Sequence, residues 1–352
     1  MSTLITIICA FSAGFLASGL GAATSIVMTA FMVFCGMMAN IAGADFNVVT
    51  DIGFGLFLGP HIAFGPACAA AVYAFKKGYM ESGGDIFKPL INLHKTDVMV
   101  VGGIFGVIGW YLNNIISTVT GGRIDSVATT VVLVSLLGKV LFTGTLFGKV
   151  PEGQKRFGLE SPAWLQYQSC TTSITLMLHS MTVGAMTSYI VYIMCTKAQE
   201  TGNTALVDAC GFPVWAIAVI GFLAMEYGLQ VPIYHHIAFG AVYASRMAFL
   251  GGGGQSCILW GIAFGLLAGY AGDFLAKIFF LYGDAFIDPP SMAIAAVSII
   301  PLGIVPALGM NTPDNPGYYA IPIIVLVVFI AISIMLHFKT KARHLEEFNM
   351  VG

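Results

Sequence analysis

Apolar runs of about 20 residues, long enough to span a bilayer, recur along the whole of this chain. In hydrocarbon every backbone amide and carbonyl must be satisfied within the protein. The chain therefore reads as an all-α integral membrane protein. Composition agrees: 57% of the 352 residues are hydrophobic and only 9% are charged, against about 25% charged in a soluble domain. No stretch is polar enough for a separate soluble domain. The net charge of −2 leaves no basic surface for nucleic acid. Glycine, at 42 residues, is abundant, as expected where helices pack closely or break within a membrane. The first apolar run, Leu4 to Leu20, has no basic residue before it. It lacks the positive flank of a cleaved signal and is expected to be a retained span.

Against this background the chain repeats itself. Asp51-Ile-Gly-Phe-Gly-Leu-Phe-Leu-Gly-Pro-His-Ile-Ala-Phe-Gly65 returns 175 positions later as Glu226-Tyr-Gly-Leu-Gln-Val-Pro-Ile-Tyr-His-His-Ile-Ala-Phe-Gly240. Three shorter matches keep the same order. Gly21-Ala-Ala-Thr-Ser25 answers Gly184-Ala-Met-Thr-Ser188. Phe105-Gly106 answers Phe264-Gly265. Ile124-Asp125 answers Ile287-Asp288. The expected organisation is repeat 1 over 2–150, repeat 2 over 165–312, an extra span over 318–338 and a tail over 339–352.

Basic residues supply direction. Ten of the 15 Lys and Arg lie in three clusters: Lys76, Lys77, Lys88 and Lys95; Lys149, Lys155 and Arg156; Lys339, Lys341 and Arg343. The positive-inside rule puts all three on the cytoplasmic side. Repeat 2 and the extra span together then cross an even number of times, so repeat 2 alone crosses an odd number. The repeats are therefore expected to be inverted. The expectation is about 11 transmembrane helices, two inverted five-helix repeats plus one C-terminal helix, with the N-terminus outside and the C-terminus cytoplasmic in a multi-pass cell membrane protein. Gly19-Leu-Gly21 and Gly228 to Pro232 are the expected helix breaks near the midplane.

The candidate binding residues follow from the duplication. Asp51 with His61, and Glu226 with His235 and His236, are polar groups in an apolar chain. Burying a charge is costly unless it is paired or wet, so the economical arrangement is one shared, hydrated site. There the carboxylates would bind H⁺, Na⁺ or a cationic solute, and the histidines would exchange protons. The alternative is that the acids cap helices at the interface and the histidines are packing residues. Thr24, Ser25, Thr187 and Ser188 could offer oxygens to an ion at a helix break; the alternative is close packing through small residues. Asp273 and Lys277, four apart on one helix, are expected to neutralise each other. No CxxC, HxxxH or ExxH spacing supports a metal site, and no cofactor is expected beyond a coupling ion.

The run Gly59-Pro-His-Ile-Ala-Phe-Gly65, continued by Ala69-Ala-Ala-Val-Tyr-Ala-Phe-Lys-Lys-Gly-Tyr79, resembles an uncharacterised group of archaeal and bacterial polytopic membrane proteins. That resemblance implies membership without a mechanism. The expected topology also resembles that of ammonium channels, without their motifs, which is analogy at the level of fold.

The expected function is a secondary transporter of a small polar or cationic solute, coupled to H⁺ or Na⁺, with alternating access about a midplane site. A passive channel for a small solute and a membrane subunit of an ion-translocating enzyme complex are the alternatives. No nucleophile triad, nucleotide loop or haem site is present to suggest an enzyme. The expected partners are a small-molecule solute, the lipid bilayer and further copies of the chain in a dimer or trimer.

Overall fold

The computed structural model describes residues 3–158, 173–229 and 231–351. Residue 2, the expected start of repeat 2 at 165 and Gln230 in the second expected break lie outside them. Every described element is helical. The first half holds α1 (Thr3–Leu20), α2 (Ala22–Ile41), a π-helical stretch Val49–Leu56, α3 (Phe64–Lys76), α4 (Thr96–Thr120) and α5 (Ser126–Thr143). The second holds α6 (Ser173–Thr201), α7 (Ala205–Ala209), α8 (Phe212–Ile220), α9 (Phe222–Glu226), α10 (His235–Ala248), α11 (Cys257–Phe279), α12 (Pro289–Ile299) and α13 (Val305–Ala307), and α14 (Gly317–Val351) follows.

Nine helical runs among the described residues are long and apolar enough to cross a membrane. Two features separate this number from the expected eleven. The run His235–Phe279 counts as one but contains α10 and α11, which pack against each other across a turn where Gly252 has φ 92°. The 13-residue α3 is only about 20 Å long, short of the roughly 30 Å hydrocarbon core. It is too short to cross a bilayer by itself. Val48 and Val49 pack at Gly36 of α2, Gly53 at Val33, and Thr29 donates to the Leu58 carbonyl at 2.8 Å. The chain thus descends antiparallel along α2 and loses its helix at residues 57–63. It then resumes as α3, whose far end places Tyr73 on Asp97, in the first turn of α4, at 3.0 Å. The break lies midway along α4, where Gly109 packs on the His61 carbonyl. In the second half an irregular segment likewise separates α9 from the 14-residue α10.

Glycine sets the helix spacing. Gly14 of α1 lies against Gly102 and Gly106 of α4, and Gly184 of α6 lies against Gly261 and Gly265 of α11. A methyl on Gly184 would come within 2.6 Å of the Gly261 carbonyl. Backbones this close gain dispersion along their length, the main attraction between helices in lipid. Ser18 and Ser188 sit one turn further on, each donating to its own helix at Gly14 O (2.8 Å) and Gly184 O (2.6 Å).

This packing corrects two expectations. The packing equivalent of Gly184 is Gly14, so Gly21-Ala-Ala-Thr-Ser25 is not the counterpart of Gly184-Ala-Met-Thr-Ser188. The two glycines answer different needs: Gly184 allows close approach, whereas Gly21 has φ 92° and turns the chain from α1 into α2. The position that Gly14 and Gly184 put opposite Gly21 is Val191, inside the unbroken α6. Nor is the Gly21 break central. Gly19 packs on Met99 near the start of α4 and Gly21 on the Lys88 carbonyl, at one end of the bundle.

Candidate functional site

The two acids expected to share a site do not meet. Asp51 lies in the π-helical stretch beside the C-terminal half of α2, exposed, with Thr50 Oγ1 donating to it at 3.2 Å. Glu226 ends α9 and accepts from Thr24 Oγ1, in the first turn of α2, at 3.1 Å. These two levels on α2 are about 15 Å apart. The Thr24–Glu226 bond does join two sequence-predicted residues across the halves, but at the protein surface.

The hydroxyls and histidines divide similarly. Ser25 Oγ donates to Ala22 O at 2.8 Å and Ser188 Oγ to Gly184 O, so both are spent on their own helices. Thr187 is buried with no partner for its hydroxyl. His61 is 1% exposed, its ring lies 6.1 Å from that of Trp110, and neither ring nitrogen is hydrogen-bonded. His236 is fully buried, packed at Gly272. The Lys277–Asp273 pair forms as its spacing predicts, at 2.9 Å.

His235 belongs to something larger. A cavity of about 400 Å³ opens between the halves, and His235 stands in its wall with Nδ1 unpartnered. The cavity wall pairs residues of the two halves at constant sequence offsets. Asp125 and Asp288, Ala128 and Ser291, and Val131 and Ile294 are each 163 apart in sequence; Pro60 and His235, and Phe64 and Phe239, are each 175 apart. The first turns of α3, α5, α10 and α12 all face this space.

Asp125 and Asp288 are the N-caps of α5 and α12. Asp125 Oδ1 accepts from the Ala128 amide at 2.7 Å and Asp288 Oδ2 from the Ser291 amide at 2.9 Å. An aspartate here satisfies amides that the helix cannot, and the helix dipole favours its charge. The two are held differently beyond the cap. Asp125 also accepts from the Tyr243 hydroxyl of α10, and its own amide donates to Ser298 Oγ of α12 at 3.0 Å, so the second half grips it. Asp288, 4% exposed, takes its further bond from the Ser291 hydroxyl of its own helix.

Aromatic side chains share the rest of the wall with aliphatic residues and with the hydroxyl-bearing Thr50, Ser126 and Ser291. Phe54, Phe212, Trp215 and Phe239 form a cluster with ring centroids 5.5–6.5 Å apart, and Phe239 continues to Tyr243 at 5.5 Å. Ring contacts thus lead directly to the Asp125 carboxylate. No Lys or Arg is among the described residues of the wall. Among the described residues no group of three His, Cys, Asp or Glu side chains converges as a metal site.

Asp125 and Asp288 were visible in the sequence as a repeated Ile-Asp pair just before an apolar span. The cost of intramembrane charge instead draws attention to Asp51 and Glu226, which histidines accompany. An acid that opens an apolar run is also a capping signal, and two in register mark helix starts that the fold can bring together.

The fold and cavity define an all-helical membrane protein with a central chamber between two halves. The model of a family described as "Family of unknown function (DUF7973)" matches the chain twice, over residues 1–162 and 153–315. The chain belongs to that family. Searches of curated proteins and of solved structures each return no match.

Proposed function

We propose that the chain is a secondary transporter of a small polar or cationic solute, working by alternating access about the central cavity. The observation that carries this reading is the cavity wall, to which both halves contribute equivalent residues. A site on the boundary of two related halves is where rocking of one against the other exposes a ligand first to one side and then to the other. A volume of about 400 Å³ falls within the range that holds small organic molecules.

Inverted five-span repeats fit the helix order. The first half contributes α1, α2, the broken span ending in α3, α4 and α5. The second contributes α6, the run α7 to α9, α10 with its irregular lead, α11, and α12 with α13. The single span α14 makes eleven. One family's model matching each half in turn supports an internal duplication, and the basic clusters support an outside N-terminus. Inequality of the halves supports the mechanism. Asp125 is held across the boundary by Tyr243 and Asp288 is held within its own helix; a movement that exchanges the halves would reverse such a difference. Coupling to H⁺ or Na⁺ would run through these carboxylates. Asp51 and Glu226 take no part, being outside the cavity wall.

The test is uptake into proteoliposomes from a panel of radiolabelled small solutes, with and without imposed H⁺ or Na⁺ gradients. Uptake of at least one solute, abolished in Asp125→Asn and Asp288→Asn, is the expected result. Uptake unchanged in both variants would remove the cavity from the pathway. Gradient-independent flux at channel rates would replace the carrier by a pore.

A further inference from the structure

The cavity also carries information about its ligand's charge. We infer that it binds an alkylammonium cation, held by Asp125 and Asp288 and covered by the aromatic wall; this rests on the reading of the cavity as the transport site.

Charge is the first argument. Two carboxylates enter the wall and no Lys or Arg opposes them among its described residues. Helix N-termini offset part of this, about +0.5 each. Those of α5 and α12 are already engaged by the two aspartates. The first turn of α3 closes on itself: the Gly65 amide donates to Pro60 O at 2.9 Å, the Ala67 amide to Ala63 O at 3.0 Å, and residue 66 is proline. It has little left to offer an anion. Counting α5, α10 and α12 in full, the site remains negative by roughly half a charge.

The second argument is chemical. A bare inorganic cation in a low-dielectric site needs about six oxygens around it. Here each carboxylate already spends acceptor capacity on an amide and a hydroxyl, and beyond the hydroxyl-bearing Thr50 and Ser126 most of the remaining wall is carbon. Aromatic faces are different. Their negative quadrupoles attract a diffuse cation without hydrogen bonds, and recognition of alkylated ammonium by grouped aromatic rings is the characteristic use of that attraction. The ring cluster through Phe54, Trp215 and Phe239, ending at the Tyr243–Asp125 pair, offers an apolar contact surface beside a fixed negative charge. His235, its Nδ1 without a partner, adds one polar group to the same wall.

Trp215 lines the cavity and reports occupancy. The full chain in detergent is titrated with choline and with 3,3-dimethyl-1-butanol, which has the same shape with carbon in place of charged nitrogen. Tetramethylammonium and NaCl serve as further titrants, all at constant ionic strength, and Trp215→Phe controls for the other tryptophans. The expected result is a saturable fluorescence change with choline and tetramethylammonium, absent in Trp215→Phe. Affinity for choline should exceed that for the neutral isostere at least tenfold and should fall at least tenfold in Asp125→Asn and in Asp288→Asn. Asparagine caps a helix as well as aspartate does, so both variants should stay folded. Wild-type protein that binds the two isosteres within twofold of each other, responds equally to NaCl, or responds to none of the titrants overturns the inference. That comparison needs no variant. Choline binding without uptake of any solute in vesicles would defeat the transporter reading and leave the ligand class standing. Uptake of a neutral or anionic solute without choline binding would do the reverse.

Discussion

The contact most informative about how the halves are joined is the hydrogen bond from Tyr243 to Asp125. A double-mutant cycle with Asp125→Ala and Tyr243→Phe isolates it. Asp125→Ala removes the cap on α5, worth about 1 kcal/mol, and strands the Tyr243 hydroxyl. A hydrogen bond to a charged partner is worth about 1.5–3 kcal/mol in water-soluble proteins, but side-chain bonds measured in a membrane protein average about 0.6 and reach about 1.7 kcal/mol. With a charged acceptor in a largely apolar wall, about 1.5 kcal/mol is the appropriate figure. Asp125→Ala should therefore cost about 2.5 kcal/mol and Tyr243→Phe about 1.5 kcal/mol. The double variant should cost no more than Asp125→Ala alone, because the bond is lost only once. The cycle should return a coupling of about 1.5 kcal/mol, read from SDS-induced unfolding in mixed micelles. Additive costs, with coupling under about 0.5 kcal/mol, would refute the bond and leave the Asp125 amide's bond to Ser298 Oγ to hold it across the boundary.

Three further outcomes follow from the packing. Asp51→Asn and Glu226→Gln should keep uptake at wild-type levels, since neither side chain lines the cavity; loss of uptake in either would return the site to the duplicated acid–histidine pairs. Cysteines placed at 51 and 226 in a cysteine-free background should resist disulfide formation under copper-phenanthroline oxidation, since bridged Cα atoms must come within about 7 Å and the two lie about 15 Å apart along α2; a disulfide between them would contradict that separation. Gly184→Ala should lower the unfolding midpoint by the equivalent of about 1–3 kcal/mol through its clash with the Gly261 backbone, whereas Gly43→Ala, at an open positive-φ turn, should cost about 1–2 kcal/mol from strain alone; recovery of stability in Gly184→Ala by making Gly261 bulkier would sink the packing argument.

Much of the helical architecture was legible because a bilayer turns composition into structure. A run of 20 apolar residues has few other fates, so α1 coincides with the first apolar run and α14 begins where the extra span is expected; the expected break at 338 between span and tail is corrected, because the polar residues after it favour helix as well and α14 continues through Val351. The duplication was legible wherever long identical strings survived, as at His61-Ile-Ala-Phe-Gly65 and His236-Ile-Ala-Phe-Gly240. Short matches misled. Gly21 and Gly184 share neighbours in sequence but not a role, since one sets a turn and the other a helix contact.

What the sequence determined by itself is the class of solvent, the helical content, the repeated acids and the likeness of the two halves, because these depend on local composition and spacing. Only the tertiary structure decided which acids line one cavity. Asp51 and Glu226 fall beside opposite halves of α2, while Asp125 and Asp288 fall on one chamber. The physical reason is that a helix start is placed by the packing of its whole length. The glycine contacts of α1 on α4 and of α6 on α11, and the breaks before α3 and α10, together set where the first turns of α5 and α12 come to lie. No window of residues around either aspartate contains those contacts.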